Sequence, residues 1–362
     1  MATVVILGAS GYVAQRLIAV LLAHGHRTVA VARDPGRTPF YARTGAEVMT
    51  PAELAQLKSE APVLINLSYP QNVPTLELQA ENKRQISGWL DLAAAIAARR
   101  FIHISTQSVF GFVWKRQPGA GPAPPRFDDA YVELKLQAEH ILHASWRKTP
   151  RFEFAIVRLG NVLGGGALPF VVNLAQRILE GRPATARNGE GVLNGTHGDN
   201  IAAYLRVLIE VDRLPEEPGV FHHLVEFGDR RWKELVEPMA EAIGVRPVYL
   251  TGIPGEPAVF SMRKLRPHVT TAVRRLGGVI RSIPGLAAAF EKMKPKQSLT
   301  PWTGSDPNRG WFVVTGGDIV FPPATIPGWT PPVSWDAAVA DIVGWLGVAG
   351  YRLRPPEDLD RA

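Results

Sequence analysis

Residues 3–14 read Thr3-Val4-Val5-Ile6-Leu7-Gly8-Ala9-Ser10-Gly11-Tyr12-Val13-Ala14, and this stretch decides the fold. An apolar strand, Val4–Leu7, runs straight into Gly8-x-x-Gly11-x-x-Ala14, and an apolar helix follows over Tyr12–His24. That order suits a dinucleotide pyrophosphate. Gly8 permits the sharp turn, Gly11 lets backbone approach phosphate, and small Ala14 lets helix and strand lie close. The helix start contributes free N–H donors and the positive end of its dipole. A glycine pattern is weak evidence alone, but its place at the first strand-to-helix turn gives it force. Gly8, Ser10, Gly11, Tyr12 and Val13 are therefore expected against the dinucleotide, with Leu67 and Ser68 beside them at the end of a later strand.

Outward from this turn, strand and helix alternate. Strands are expected at Thr28–Ala32, Val63–Leu67, Phe101–Ser105 and Phe154–Leu159, and helices at Pro51–Lys58, Leu76–Ala98 and Ala130–Ala144. Such alternation predicts an α/β fold with a doubly wound parallel sheet. Gln117–Pro125, rich in Pro and Gly, reads as a loop. After Gly164 the pattern changes: helices at Phe170–Glu180, Asn200–Val211, Arg231–Ile243 and Trp335–Leu346, and a strand at Val220–Val225. The expected division is a dinucleotide-binding domain over 1–165 and a smaller α/β substrate domain over 166–350, partly interleaved with the sheet.

The chain has 362 residues, 46% of them hydrophobic, enough for one large core or two domains. It contains no cysteine, which excludes disulfides, cysteine metal sites and thiol catalysis. No apolar run reaches membrane-spanning length, and the first residues lead directly into a strand, so a cytoplasmic enzyme without a secretory signal is expected. His222-His223 read as structural, and no metal site is expected. The net charge of +7 is local: residues 261–296 carry nine Arg or Lys and one Glu, for +8, so the remainder sums to −1. The basic balance is therefore no sign of a nucleic-acid partner. Three readings of 261–296 stay open: a helical insertion over the active site, a lid whose arginines meet an anionic substrate, and a weak membrane-surface contact.

Cofactor choice falls on the end of the second strand, Ala32-Arg33-Asp34. A guanidinium at Arg33 can pair with a 2′-phosphate, which favours NADP. Asp34 would favour NAD if the strand runs on and its carboxylate meets the ribose hydroxyls.

The catalytic signal is Tyr131-Val132-Glu133-Leu134-Lys135 at the start of a helix. The i, i+4 spacing sets phenol and ammonium on one face. At an effective dielectric near 20, a unit charge about 5 Å away is worth roughly 3 kcal/mol, or about two pKa units, in favour of the phenolate. Such a tyrosine can exchange a proton with a substrate oxygen. The pair follows Phe101–Ser105, which runs into Thr106-Gln107-Ser108, hydroxyls at the carboxyl end of a parallel strand where ligands bind.

These pieces, with Val157-Arg158-Leu159-Gly160-Asn161-Val162-Leu163-Gly164, His197-Gly198-Asp199-Asn200-Ile201-Ala202 and Pro327-Gly328-Trp329-Thr330-Pro331, resemble the extended short-chain dehydrogenase/reductases, specifically the NAD-dependent epimerase/dehydratase group. Asn82 sits where that group has a structural Asn. The resemblance spans 1 to about 245 and 326–346. It implies a Rossmann domain, Tyr131 as acid/base, Lys135 as its partner and nicotinamide-ribose ligand, Thr106 at the catalytic Ser/Thr position, and Ser108 and Asn161 near a small-molecule substrate. That substrate is commonly a nucleotide sugar, and a homodimer is implied. Three departures stand out. Leu193 occupies a position where an Arg usually binds a diphosphate, leaving Arg187 or the basic segment as substitutes. Val132 and Phe110 replace a common Gly and Tyr. The insertion 261–325 matches nothing in the family. The functions in play are an epimerase or other hydride-transfer oxidoreductase, an NADPH-dependent ketoreductase of a non-nucleotide or lipophilic substrate, and a non-catalytic dinucleotide-binding regulator.

Overall fold

The computed structural model describes residues 1–31, 43–57, 61–70, 77–110, 130–148, 151–168, 170–214, 221–251, 311–312, 314–321 and 326–351. Nine strands run through them: β1 (Thr3–Leu7), β2 (Arg27–Val31), β3 (Glu47–Met49), β4 (Val63–Asn66), β5 (Arg100–Thr106), β6 (Glu153–Leu159), β7 (Asn161–Leu163), β8 (Gly195–His197) and β9 (Phe221–Leu224). Seven form one sheet in the order β3-β2-β1-β4-β5-β6-β9, with every neighbouring pair parallel. The short β7 and β8 pair separately, also in parallel.

A parallel sheet buried on both faces needs apolar residues at successive positions. Val4, Val5, Ile6 and Leu7 of β1 are all fully buried, as are Val63, Leu64 and Ile65 of β4. One face packs against α1 (Tyr12–Ala23) and α6 (Gly198–Glu210), through Leu17, Ile18 and Leu21 of the first and Ile201, Leu205 and Leu208 of the second. The opposite face packs against α2 (Pro51–Leu54), α3 (Leu78–Ala95) and α4 (Ala130–Lys148), through Leu54, Ile86, Trp89, Leu90, Ala138 and Leu142. A separate core joins α5 (Phe170–Leu179), α7 (Lys233–Ile243) and α8 (Trp335–Val348) around the buried Trp232. Thus α6 and β9, late in the chain, return to the sheet, while residues on either side of them build the second core.

Fully buried Arg100 at the start of β5 anchors α6. Its guanidinium donates to the carbonyls of Leu208 and Val211, and Arg99 Nη2 donates to Ile209 O at 2.5 Å. These are last-turn carbonyls without helical partners, and a cation there also meets the negative end of the helix dipole.

Two sequence expectations differ from the structure. The helix expected over Pro51–Lys58 ends at Leu54: a Thr50–Glu53 capping box starts it, but Leu54 is its one buried residue, so little packing holds a further turn. Strands β3, β7 and β8 were not anticipated, because three residues are too few to show a period of two. Among the described residues no helix is long and apolar enough to cross a membrane.

Candidate active site

The chain steps outward through β1, β2 and β3, then crosses back to start β4 on the other side of β1. The carboxyl ends of β1 and β4 therefore flank a topological switch point, where open α/β sheets bind ligands. Gly8 closes that point from below. Its φ is +83°, and a Cβ there would lie 2.7 Å from Ser68 N and 2.9 Å from the Leu67 carbonyl carbon. Leu67 N donates to Leu7 O at 2.9 Å, locking the two strand ends together. Gly8 is thus required by the chain's own packing. Gly11 is different: its φ is −74°, and a Cβ would meet only Gly8 O, at an ordinary 3.6 Å. Packing does not demand glycine there, and the missing side chain leaves open ground over the start of α1. That helix start carries no side-chain cap and no acidic residue in its first turn, and Ser10 and Gly11 are exposed. The residues present fit a pyrophosphate.

Val13 packs half-buried on the sheet core. The Tyr12 ring turns the other way: its hydroxyl donates to Leu163 O at 3.3 Å, and Arg16 lies 4.8 Å over the ring. Burial pushes the Tyr12 phenol well above its ordinary range. Only the Tyr12 backbone remains at the cradle. Arg16 in turn meets Asp199 at 2.6 Å, while His197 Nε2 meets Asp341 Oδ2 at 3.1 Å. This cluster ties the glycine turn to the second core.

Lys135 is buried and donates from Nζ to Ile104 O on β5 at 2.9 Å. The same nitrogen lies 5.9 Å from the Tyr131 ring centroid, so phenol and ammonium share a face of α4. Asn82 of α3 donates to Leu134 O at 2.9 Å and to Gln137 Oε1 at 2.8 Å, pinning the helix turn that carries Lys135. Burial pushes the Lys135 ammonium down to about 8, against the pull of the Glu139 carboxylate. Glu139 is itself buried one turn further on. It accepts from Ser105 Oγ at 2.5 Å and from Arg158 at 3.0 and 2.6 Å, which joins α4 to β5 and β6.

Behind Lys135 lies a second polar chain. Ser68 donates to Asn66 Oδ1 from its backbone and hydroxyl, at 3.0 and 2.7 Å, and Trp89 Nε1 donates to Ser68 Oγ at 3.1 Å. With its oxygen occupied, Asn66 presents its amide to His103 Nδ1 at 3.2 Å, which leaves the ring proton on Nε2. Burial and the Lys135 charge hold His103 well below the ordinary histidine range, hence neutral.

At the tip of β5, Thr106 Oγ1 accepts from Ser108 N and donates to Ser108 Oγ, both at 3.2 Å. The next side chain, Gln107, has both amide atoms buried without a hydrogen-bond partner among the described residues. Asn161 spends its amide N–H on Leu193 O at 2.5 Å. Arg187 pairs with Asp318 and with Gly316 O, in a turn distant in sequence from the other site residues. Leu193 is fully buried in the second core. Arg33, Asp34 and the basic segment 261–296 lie outside the described residues. Among described residues no cluster of metal-ligating side chains occurs, and His222 Nδ1 is bonded to the Tyr204 hydroxyl at 2.7 Å.

Sequence reading missed Tyr69, just past the end of β4, whose ring meets the Tyr131 ring edge-on at 5.8 Å. A lone tyrosine after a strand carries no spacing signal. It also missed Glu226, just past β9. Both carboxylate oxygens of Glu226 are sealed from solvent. The Thr196 hydroxyl and the His197 N–H lie nearby, but neither completes a hydrogen bond. Burial pushes this carboxyl up to about 7. The folded state then holds a proton that the unfolded state releases above about pH 4.5, so stability falls as pH rises from there to about 7. Glu226→Gln should match wild type in acid and exceed it by about 3 kcal/mol at pH 8. Urea unfolding at pH 5 and pH 8 checks this; an equal difference at both would rule it out.

Fold and site together define a class: a Rossmann α/β enzyme with a glycine cradle at the switch point and a Tyr/Lys pair one strand away. The model of the NAD dependent epimerase/dehydratase family matches residues 4–218, and the chain belongs to that family. It is an NAD(P)-dependent enzyme of the extended short-chain dehydrogenase/reductase type. Among solved structures, WbmG of Bordetella bronchiseptica in complex with NAD and UDP shares 14% identity at a TM-score of 0.64, over 96% of this chain and 95% of that one. UDP-glucose 4-epimerase of Thermotoga maritima shares 15% at 0.60, over 96% and 99%. UDP-glucuronic acid 4-epimerase of Bacillus cereus shares 17% at 0.60, over 96% and 99%. At these identities the likeness is one of fold. No curated protein sequence matches the chain.

Proposed function

We propose that this enzyme moves hydride at a carbinol or carbonyl carbon of a nucleotide sugar, with Tyr131 as acid/base. The observation that carries the reading is the Lys135 ammonium, held by Ile104 O, 5.9 Å from the Tyr131 ring at the edge of the switch-point crevice. A nicotinamide dinucleotide, when bound, supplies the hydride acceptor and donor. The chain's own residues do the rest. Gly8 to Val13 receive the pyrophosphate on backbone N–H groups, with the Leu67–Ser68 edge beside them. Lys135 lowers the cost of a phenolate at Tyr131, Tyr131 takes or returns the proton at the substrate oxygen, and the Thr106 hydroxyl hydrogen-bonds that oxygen. Ser108 and Asn161 line the substrate side. Arg33 favours NADP and Asp34 favours NAD, and fluorescence titration with NADPH and NADH reads that choice.

The solved structures above carry UDP-glucose, UDP-glucuronic acid or UDP, which supports a nucleotide-sugar substrate. A ketoreductase acting on a substrate without a diphosphate is the second reading. It is favoured by Leu193 lying inside the second core and by Arg187 being held by Asp318. Incubation with UDP-glucose and UDP-glucuronic acid, with NAD⁺ and NADP⁺ supplied separately, should convert one sugar, read by chromatography. Failure on both sugars, with NADPH-linked reduction of simple ketones, would establish the second reading instead.

A further inference from the structure

Tyr69 stands apart from both motifs that define the site, yet its ring lies against the site's centre. It follows β4 between buried Ser68 and buried Pro70. Its centroid is 5.8 Å from that of Tyr131, with the ring planes at 85°. Lys135 Nζ lies 5.9 Å from the Tyr69 centroid and 5.9 Å from the Tyr131 centroid. We propose that Tyr69 is a positioning residue for the proposed Tyr131–Lys135 pair, bracing the phenol ring edge-on and sharing the ammonium between two aromatic faces. The inference rests on the function proposed above.

Three features of the surroundings support it. The described part of α4 begins at Ala130, and the Tyr131 ring near its start takes a contact from another element, in the edge-to-face geometry favoured for such a pair. The element that supplies it is held fast, because Ser68 is bonded twice to Asn66 and receives Trp89 Nε1. Among the described residues, finally, no carboxylate is hydrogen-bonded to the ammonium. On its own helix Glu139 is engaged by Ser105 and Arg158; on β5 it meets Ile104 O and the neutral His103; from the end of β4 it meets the Tyr69 ring. In a desolvated site, π faces add negative potential for the cation beside that of the Ile104 carbonyl and the nearby Glu139 carboxylate.

The test compares Tyr69→Phe, which keeps the ring, with Tyr69→Leu, which removes it. Tyr69→Met serves as the aliphatic variant if Leu fails to fold. Phe should retain turnover within about threefold. The aliphatic variant should lose about tenfold in kcat with KM and dinucleotide affinity little changed, and the alkaline limb of its pH profile should move to lower pH. NMR titration of ¹⁵N-labelled lysine needs no substrate. It should place Lys135 near its wild-type midpoint in Tyr69→Phe and about half a unit or more lower in the aliphatic variant. Unchanged titration and turnover without the ring would make Tyr69 a bystander and overturn the proposal. So would a loss in Tyr69→Phe equal to that in the aliphatic variant, since the hydroxyl would then be the active part. If the wild type turns over no nucleotide sugar, the function proposed above fails while the lysine titration still decides this inference.

Discussion

Tyr131→Phe is expected to lower kcat by about 10²- to 10⁴-fold while leaving the fold and dinucleotide affinity intact. The substitution removes one oxygen. The ring keeps its edge contact with Tyr69 and its place 5.9 Å from Lys135 Nζ, so neither packing nor the ammonium's surroundings change much. On the function proposed above, what disappears is the proton that crosses as hydride moves. The pH dependence has a definite sign. Lys135, brought down to about 8 by burial, is charged below that value and loses its charge above it. On the function proposed above, a neutral Lys135 no longer favours a phenolate at Tyr131, so wild-type turnover in the oxidative direction should stop gaining above about pH 8. Single-turnover measurement of dinucleotide reduction in wild type and Tyr131→Phe checks both points. A variant within a few-fold of wild type would remove Tyr131 from the chemistry.

Arg158→Met is expected to cost about 3–5 kcal/mol of stability, the largest effect of any single substitution considered. Arg158 and Glu139 are each about 98% buried and joined by two hydrogen bonds. Methionine fills much of the volume but leaves a buried carboxylate whose one remaining hydrogen bond among the described residues comes from the Ser105 hydroxyl. The double variant Glu139→Gln/Arg158→Met should recover most of the loss, because the uncompensated charge is then gone. Urea unfolding of the two singles and the double gives the cycle; equal losses in the single and the double would refute the account. The pair lies one helical turn from Lys135 and holds α4 to β5 and β6, so it also sets where Tyr131 and Lys135 stand relative to Thr106.

Much of the architecture was legible because it is written in local periodicity. The strands at 3–7, 27–31, 63–66, 100–106 and 153–159 and the helices that follow them have apolar residues at the spacings that a two-sided parallel sheet and its covering helices require. Gly8 and Gly11 were legible as a pair, but not their separate reasons. One is forced by the backbone of Leu67–Ser68, across the sheet; the other is left open toward solvent. The Tyr131/Lys135 pair was legible because i, i+4 is a distance as well as a spacing.

What the linear order of residues gave by itself is the class of fold, the glycine turn between β1 and α1 and the shared helix face of Tyr131 and Lys135, since each depends on neighbours within a few positions along the chain. Tertiary structure alone decided the rest: that Tyr12 faces Leu163, that Arg187 is committed to Asp318, that Leu193 is core, that Tyr69 lies against Tyr131, and that the Glu226 carboxylate and the Glu139–Arg158 pair are buried. Those facts depend on groups brought together from distant segments. Burial sets both their pairing and their charge, and no spacing along one segment records how deeply a side chain will lie once the others pack over it.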